Sequence, residues 1–150
     1  MIQTLLALGF ESWIYASENP YSPLALPATL ANGQTTSWLM TYLMKGYQEI
    51  DPIIIHCRKE NAPIFWDSRV GWESAAPEVQ KFMRDVSRHG FGSGLALPLK
   101  QQDAPNGLLS LTSKQSLGLE YTRYEEMLPY LAKIGAAAHT AMHQILKKHV

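Results

Sequence analysis

Gly94-Leu-Ala-Leu-Pro-Leu99, Asp103-Ala-Pro-Asn-Gly107 and Leu108-Leu-Ser-Leu-Thr112 follow one another along the chain, and this stretch decides the fold. Two short apolar runs flank a turn that ends in Asn-Gly. That dipeptide is a strong hairpin signal, because tight turns between antiparallel strands need backbone conformations that Asn and Gly tolerate. The stretch therefore reads as an antiparallel pair.

Working outward, Ser12-Trp-Ile-Tyr-Ala16 is β-branched and aromatic and reads as a strand, and Ala28-Thr-Leu-Ala-Asn32, between Pro27 and Gly33, reads as its weaker neighbour. Pro63-Ile-Phe-Trp66 is too short for a helix and fits an edge strand. From about Thr35 to Tyr47 hydroxyl residues precede apolar residues on more than one face, predicting a helix buried on two sides. Asp51-Pro52 has the form of an N-cap followed by proline at the first helical position, opening a short turn over Ile53-Ile54-Ile55.

Val79, Phe82, Met83 and Val86 follow the spacing of an amphipathic helix, with Pro77 near its start and Gly90 placed to end it, so this helix should cover a sheet. The final segment opens on the capping-box pattern Thr122-x-x-Glu125. It places apolar residues at Tyr124, Leu128, Leu131, Ile134, Ala138, Met142 and Ile145, which predicts one long helix running through Pro129. Hairpins beside helices, without regular βαβ units, predict an α+β domain in three layers, an antiparallel sheet with helices on its faces.

A chain of 150 residues has the length of one domain that can bury a core and enclose a cavity. Thirteen basic and thirteen acidic residues cancel, and no run of like charges offers the basic face that phosphate neutralisation demands, so DNA binding by this segment alone is not expected. No apolar stretch approaches the roughly 20 residues that span a bilayer, and the amino-terminal segment has neither a basic region nor a cleavage site of a secretory signal. The single cysteine, Cys57, fits a reducing compartment, and a cytoplasmic location is the expectation.

Trp38 and Tyr42 stand four residues apart on the first helix, so the indole N–H and the phenol O–H project side by side and could converge on one small molecule. A carboxylate, Asp51, and a third aromatic, Trp66, follow. Each has a plainer reading: the three aromatics as core, and Asp51 as a helix cap. Other chemistries fit less well. Gly90-Phe-Gly92-Ser-Gly94 follows a helix and enters a strand, the reverse of a phosphate loop. Ser93 and Ser110 lack the flanking pattern of a nucleophile elbow, and Cys57 beside His56 reads as a buried small apolar residue. His139 and His143 share a helix face at metal-pair spacing, but no third ligand is evident, so they read as solvated histidines near a helix C-terminus. Neither a metal nor a cofactor is expected.

In combination and order, Trp38-x-x-x-Tyr42, Asp51-Pro52, Pro63-Ile-Phe-Trp66, Gly94 and Gly107-Leu-Leu-Ser110 closely resemble the autoinducer-binding domain of LuxR-type quorum-sensing regulators. The resemblance runs roughly from Leu8 to the final helix. It implies an α/β/α sandwich with a five-stranded antiparallel sheet and an N-acyl-homoserine lactone held between the sheet and a layer of helices. It further implies that Trp38 donates to the lactone carbonyl, Tyr42 hydrogen-bonds the acyl-amide carbonyl and Asp51 accepts from the amide N–H. Trp66 would pack beside the lactone, and Ser110 would add a hydroxyl near the amide. Ile14, Leu39, Ile53, Leu97 and Leu108 are the candidates for the acyl-chain wall.

The resemblance also implies a helix before the segment that begins this chain and a DNA-binding helix-turn-helix domain after it. Residues 1–150 are accordingly expected to be the sensory domain. Its partners would be the small autoinducer and a second copy of the chain, with DNA reached only through the further domain and no membrane association. Two alternatives stand beside the lactone sensor: a sensor of another small amphiphile on the same fold, and a single-domain protein that sequesters a full-length regulator.

Overall fold

The computed structural model describes residues 9–17, 28–31, 33–100, 106–116 and 121–148. Strands β1 (Ser12–Ser17) and β2 (Ala28–Ala31) lead into helix α1 (Gly33–Met44) and a short 3-10 turn, Tyr47–Glu49. Helix α2 (Pro52–Lys59), strand β3 (Ile64–Asp67), helix α3 (Pro77–Arg88), strands β4 (Ser93–Leu99) and β5 (Gly107–Ser113), and the long helix α4 (Tyr121–Lys148) follow. The strands form one five-stranded antiparallel sheet in the order β2-β1-β5-β4-β3. β4 and β5 form the antiparallel pair read from the sequence, and β3 lies at the edge. Of the connecting turn, residues 101–105 lie outside the described residues.

Register sorts the side chains into two layers, because successive residues of a strand point to opposite faces. Trp13, Leu111 and Leu95 face one another across β1, β5 and β4, as do Tyr15, Leu109 and Leu97. This face packs against α4 through Leu131, with Leu128 and Met142 at its margin. Leu95, Leu111 and Leu131 are wholly buried, each contributing about 1.5–3 kcal/mol of transfer free energy.

The opposite face presents Ile14, Ser110, Ala96 and Ile64 in one row, with Gly94 and Trp66 paired in the next. Over it lie α1, α2 and α3, which supply Trp38, Ile53, Cys57, Phe82, Met83 and Val86 to a second buried cluster. The sheet thus has helices on both sides. Leu97, expected in the acyl-chain wall, belongs to the α4 face, one position out of phase with Ala96 and its partner Ser110.

Two boundaries differ from the sequence expectation. Helix α1 ends at Met44, not Tyr47, because Gly46 adopts a left-handed φ of 66° that a helix cannot continue through. Helix α4 begins at Tyr121, one residue before the Thr122 expected to cap it, and the Thr122 side chain lies outside the described residues.

Candidate functional site

Helix α1 carries Trp38 and Tyr42 one turn apart, their rings meeting edge to face with centroids 5.9 Å apart. Trp38 is 6% exposed, enclosed by Tyr47, Phe82 and Phe91 at centroid distances of 6.0, 6.2 and 6.0 Å and by the His89 ring at 4.7 Å. Aromatic pairs in such tilted arrangements add about 0.5–1.5 kcal/mol each beyond burial, so Trp38 also anchors α1 on the end of α3. Its indole N–H makes no hydrogen bond among the described residues.

Tyr42 is tied to Asp51. Its hydroxyl donates to Asp51 Oδ2 at 2.7 Å, while Asp51 Oδ1 accepts from the Ile53 N–H at 2.8 Å. The same carboxylate therefore caps α2 and orients the phenol. Pro52 at the first helical position has no N–H to satisfy, which leaves the cap free for Ile53. Burial raises the Asp51 pKa, against the opposing pull of the Tyr42 and Ile53 hydrogen bonds. Burial and the adjoining carboxylate also raise the Tyr42 pKa, so the phenol keeps its proton.

Trp66 projects from β3 toward the helices and is 9% exposed. Its flat seat depends on Gly94, its cross-strand partner: a Cβ there would lie 2.5 Å from Trp66 Cζ2 and 2.7 Å from the Leu111 carbonyl oxygen. In this position the Trp66 Nε1–H is buried and has no hydrogen-bond partner among the described residues. Leaving a buried donor unpaired costs about 1–3 kcal/mol.

Ser110 sits at the middle of β5, between Ile14 and Ala96, half-buried on the face that Trp66 shares. The structure thus brings Trp38, Tyr42, Asp51 and Trp66 together between the helices and the sheet, and puts Ser110 on that sheet face. Ile53 and Leu108 pack in the same layer and Ile14 shares its sheet face; Leu97 does not. Cys57 packs in this layer, and burial pushes its thiol up to about 11, the behaviour of a packing residue rather than a nucleophile.

Sequence reading missed a second polar group beneath the aromatics. Asp85 on α3 is buried, accepts from the Tyr47 hydroxyl and pairs with Lys45 Nζ at 3.0 Å, which together hold its pKa below the usual carboxylate range. An acid one turn from Phe82 and beside Val86 on an otherwise apolar stripe was the available signal. The reading of His139 is overturned as well. It is wholly buried on the inner face of α4, and the Tyr15 hydroxyl lies 2.6 Å from its Nδ1. Among the described residues no three of His, Cys, Asp and Glu are grouped to hold a metal, and no helix is long and apolar enough to cross a membrane.

With that geometry in place, comparison with known proteins is specific. Residues 1–142 match the family model described as "Autoinducer binding domain". The chain is 27% identical over 109 residues to the transcriptional activator protein AnoR of Acinetobacter nosocomialis, covering 72% of this chain and 44% of AnoR. It spans about half the length of the curated relatives it matches. Among solved structures it superposes on CepR2 of Burkholderia cenocepacia, an N-acylhomoserine lactone dependent LuxR-family transcription factor, with a TM-score of 0.69 at 20% identity, covering 90% of this chain and 77% of that one. SdiA of Escherichia coli, in complex with octanoyl-rac-glycerol, superposes with a TM-score of 0.57 at 17% identity, covering 75% of this chain and 44% of that one.

Proposed function

The chain belongs to the autoinducer-binding domain family of LuxR-type regulators, and from that premise we propose that it binds an N-acyl-homoserine lactone between its sheet and the layer of α1, α2 and α3. The observation that carries the proposal is the buried Trp66 indole N–H, unpaired among the described residues, in the same packed layer as the Tyr42–Asp51 pair. A lactone with an acyl amide offers two carbonyl acceptors and one N–H donor. The carbonyls complement the indole donors of Trp38 and Trp66, and the amide N–H complements the lone pairs left on Asp51 Oδ2. Trp66 is thereby given a donor's role in addition to packing against the head group.

Tyr42 already directs its proton to Asp51, so it meets the acyl carbonyl only by turning from that carboxylate; otherwise its oxygen accepts. Ser110 supplies a hydroxyl from the sheet side. The acyl chain lies along Ile14, Leu39, Ile53 and Leu108, each buried methylene contributing about 0.8 kcal/mol. The reading contains no catalytic step and needs no cofactor. In the larger cytoplasmic regulator it implies, ligand binding stabilises the sensory domain and licenses DNA binding through a separate domain, as a homodimer.

The test is thermal unfolding with a graded series of N-acyl-homoserine lactones. A ligand confined to the folded state stabilises it by about 2.7 kcal/mol at a hundredfold excess over Kd. Unchanged melting across the whole series contradicts the proposal. A second reading, a sensor of a non-lactone amphiphile, is favoured by the fold shared with SdiA in its octanoyl-rac-glycerol complex. A shift produced by monoacylglycerol but by no lactone selects it.

A further inference from the structure

A second concavity lies on the far side of α3. The loop after β3 and the outer face of α3 border an open cleft of about 400 Å³, lined by Arg69, Trp72, Arg84, Ser87 and Arg88 with Met83 at its base. Volumes of this size accept a small-molecule ligand. The cleft shares Met83 with the aromatic cluster of the lactone layer, and Trp72 packs against the margin of that cluster.

Its charge is unbalanced. Arg69 and Arg84 have no carboxylate within ion-pair distance among the described residues, and Arg88 reaches only Asp85, at 3.8 Å, which already pairs with Lys45. The acidic residue on the wall, Glu73, turns its carboxylate back toward the Gly71 N–H at 3.5 Å. Arg84 and Arg88 stand four residues apart on one helix face, where like charges repel, and Arg69 faces the same space. An oxyanion between them removes that repulsion and suits the planar, forked donors of guanidinium groups.

The wall also has a fixed flat surface. Trp72 is half-buried, and its indole N–H donates to the Asp67 carbonyl oxygen at 2.6 Å, so the ring cannot swing away. Gln80 is pinned beside it by donating to the Glu73 and Ala75 carbonyl oxygens at 3.2 and 3.0 Å.

We propose that this cleft binds a small phosphate ester carrying a flat ring, of the mononucleotide class, with the phosphate among Arg69, Arg84 and Arg88 and the ring against Trp72. The test follows the Trp72 indole resonance in nitrogen–proton correlation spectra at low ionic strength, with AMP, inorganic phosphate and adenosine as probes. AMP is expected to shift Trp72 saturably and more tightly than phosphate, adenosine to leave it in place, and added salt to weaken the AMP effect. Arg84→Glu, an exposed substitution, should weaken AMP at least tenfold with an unchanged melting temperature, and Arg84→Lys should recover part of the loss. No saturable Trp72 shift, adenosine binding as tightly as AMP, or undiminished AMP affinity in Arg84→Glu overturns the proposal.

Discussion

The Tyr42 hydroxyl donates to Asp51 Oδ2 at 2.7 Å, joining helix α1 to the cap of helix α2. Because Asp51 Oδ1 is engaged by the Ile53 N–H, the alternatives of cap and site residue are not exclusive: one carboxylate does the first with one oxygen and offers the second with the other. Tyr42→Phe removes the donor to Oδ2 and should destabilise the ligand-free domain by about 1–3 kcal/mol. Chemical denaturation should show a smaller loss when lactone is present, since the ligand amide supplies a replacement donor.

Asp51→Asn separates folding from recognition. Asn caps helices about as well as Asp, so the Ile53 hydrogen bond survives, but the neutral amide is a poorer acceptor for a ligand N–H. Lactone affinity should fall at least tenfold with little change in melting temperature at neutral pH. The pH profile adds a sign. Burial raises the folded-state pKa of Asp51, so its contribution is full below the unfolded value of about 4 and falls as pH rises from there through the folded value. The variant's stability should decline less than the wild type's over that window.

Asp85 has the opposite dependence. Its pKa is lowered, by the Tyr47 hydrogen bond first and then by Lys45, so its stabilisation is present above the unfolded value of about 4 and is lost as pH falls through the folded value. Asp85→Asn should melt below wild type at neutral pH, with the difference closing in acid. A melting series across pH checks this.

Gly94→Ala tests the seat of Trp66. The added methyl meets the indole at 2.5 Å and the Leu111 carbonyl oxygen at 2.7 Å, and the backbone contact cannot be relieved by rotating a side chain. Overpacking of this kind costs about 1–3 kcal/mol, and displacement of Trp66 should reduce lactone affinity as well. Equilibrium unfolding and ligand titration of the variant measure the two effects separately.

Trp66→Phe removes the unpaired N–H while keeping an aromatic body. Without ligand, deletion of an unsatisfied buried donor offsets part of the packing lost with the larger ring. The cost to folding should therefore be smaller than the cost to lactone affinity, which should fall about tenfold for the loss of roughly 1.4 kcal/mol. Calorimetric titration beside a melting curve compares the two.

What the sequence disclosed followed locality. The β4–β5 pair, the Asp51-Pro52 cap and the Trp38–Tyr42 spacing are written within a few residues and appear as read. Leu97 was assigned to the wrong face because β4 is apolar from Leu95 through Leu99, so no alternation marks its phase and only the pairing with Leu109 fixes it. His139 reads as a surface residue until Tyr15, 124 residues earlier, is brought against it. The unpaired Trp66 N–H was equally hidden, since it depends on how the indole lies over Gly94 across the strand pair.

The central claim is tested most directly by the four indole N–H resonances, from Trp13, Trp38, Trp66 and Trp72, recorded as a long-chain N-acyl-homoserine lactone is added. Trp38 and Trp66 face the proposed ligand layer, Trp13 packs on the α4 side of the sheet and Trp72 lines the outer cleft. The account predicts large, saturable downfield shifts of Trp38 and Trp66, with Trp13 and Trp72 nearly still. Lactone binding that leaves Trp38 and Trp66 in place, or no shift at any lactone concentration, contradicts it.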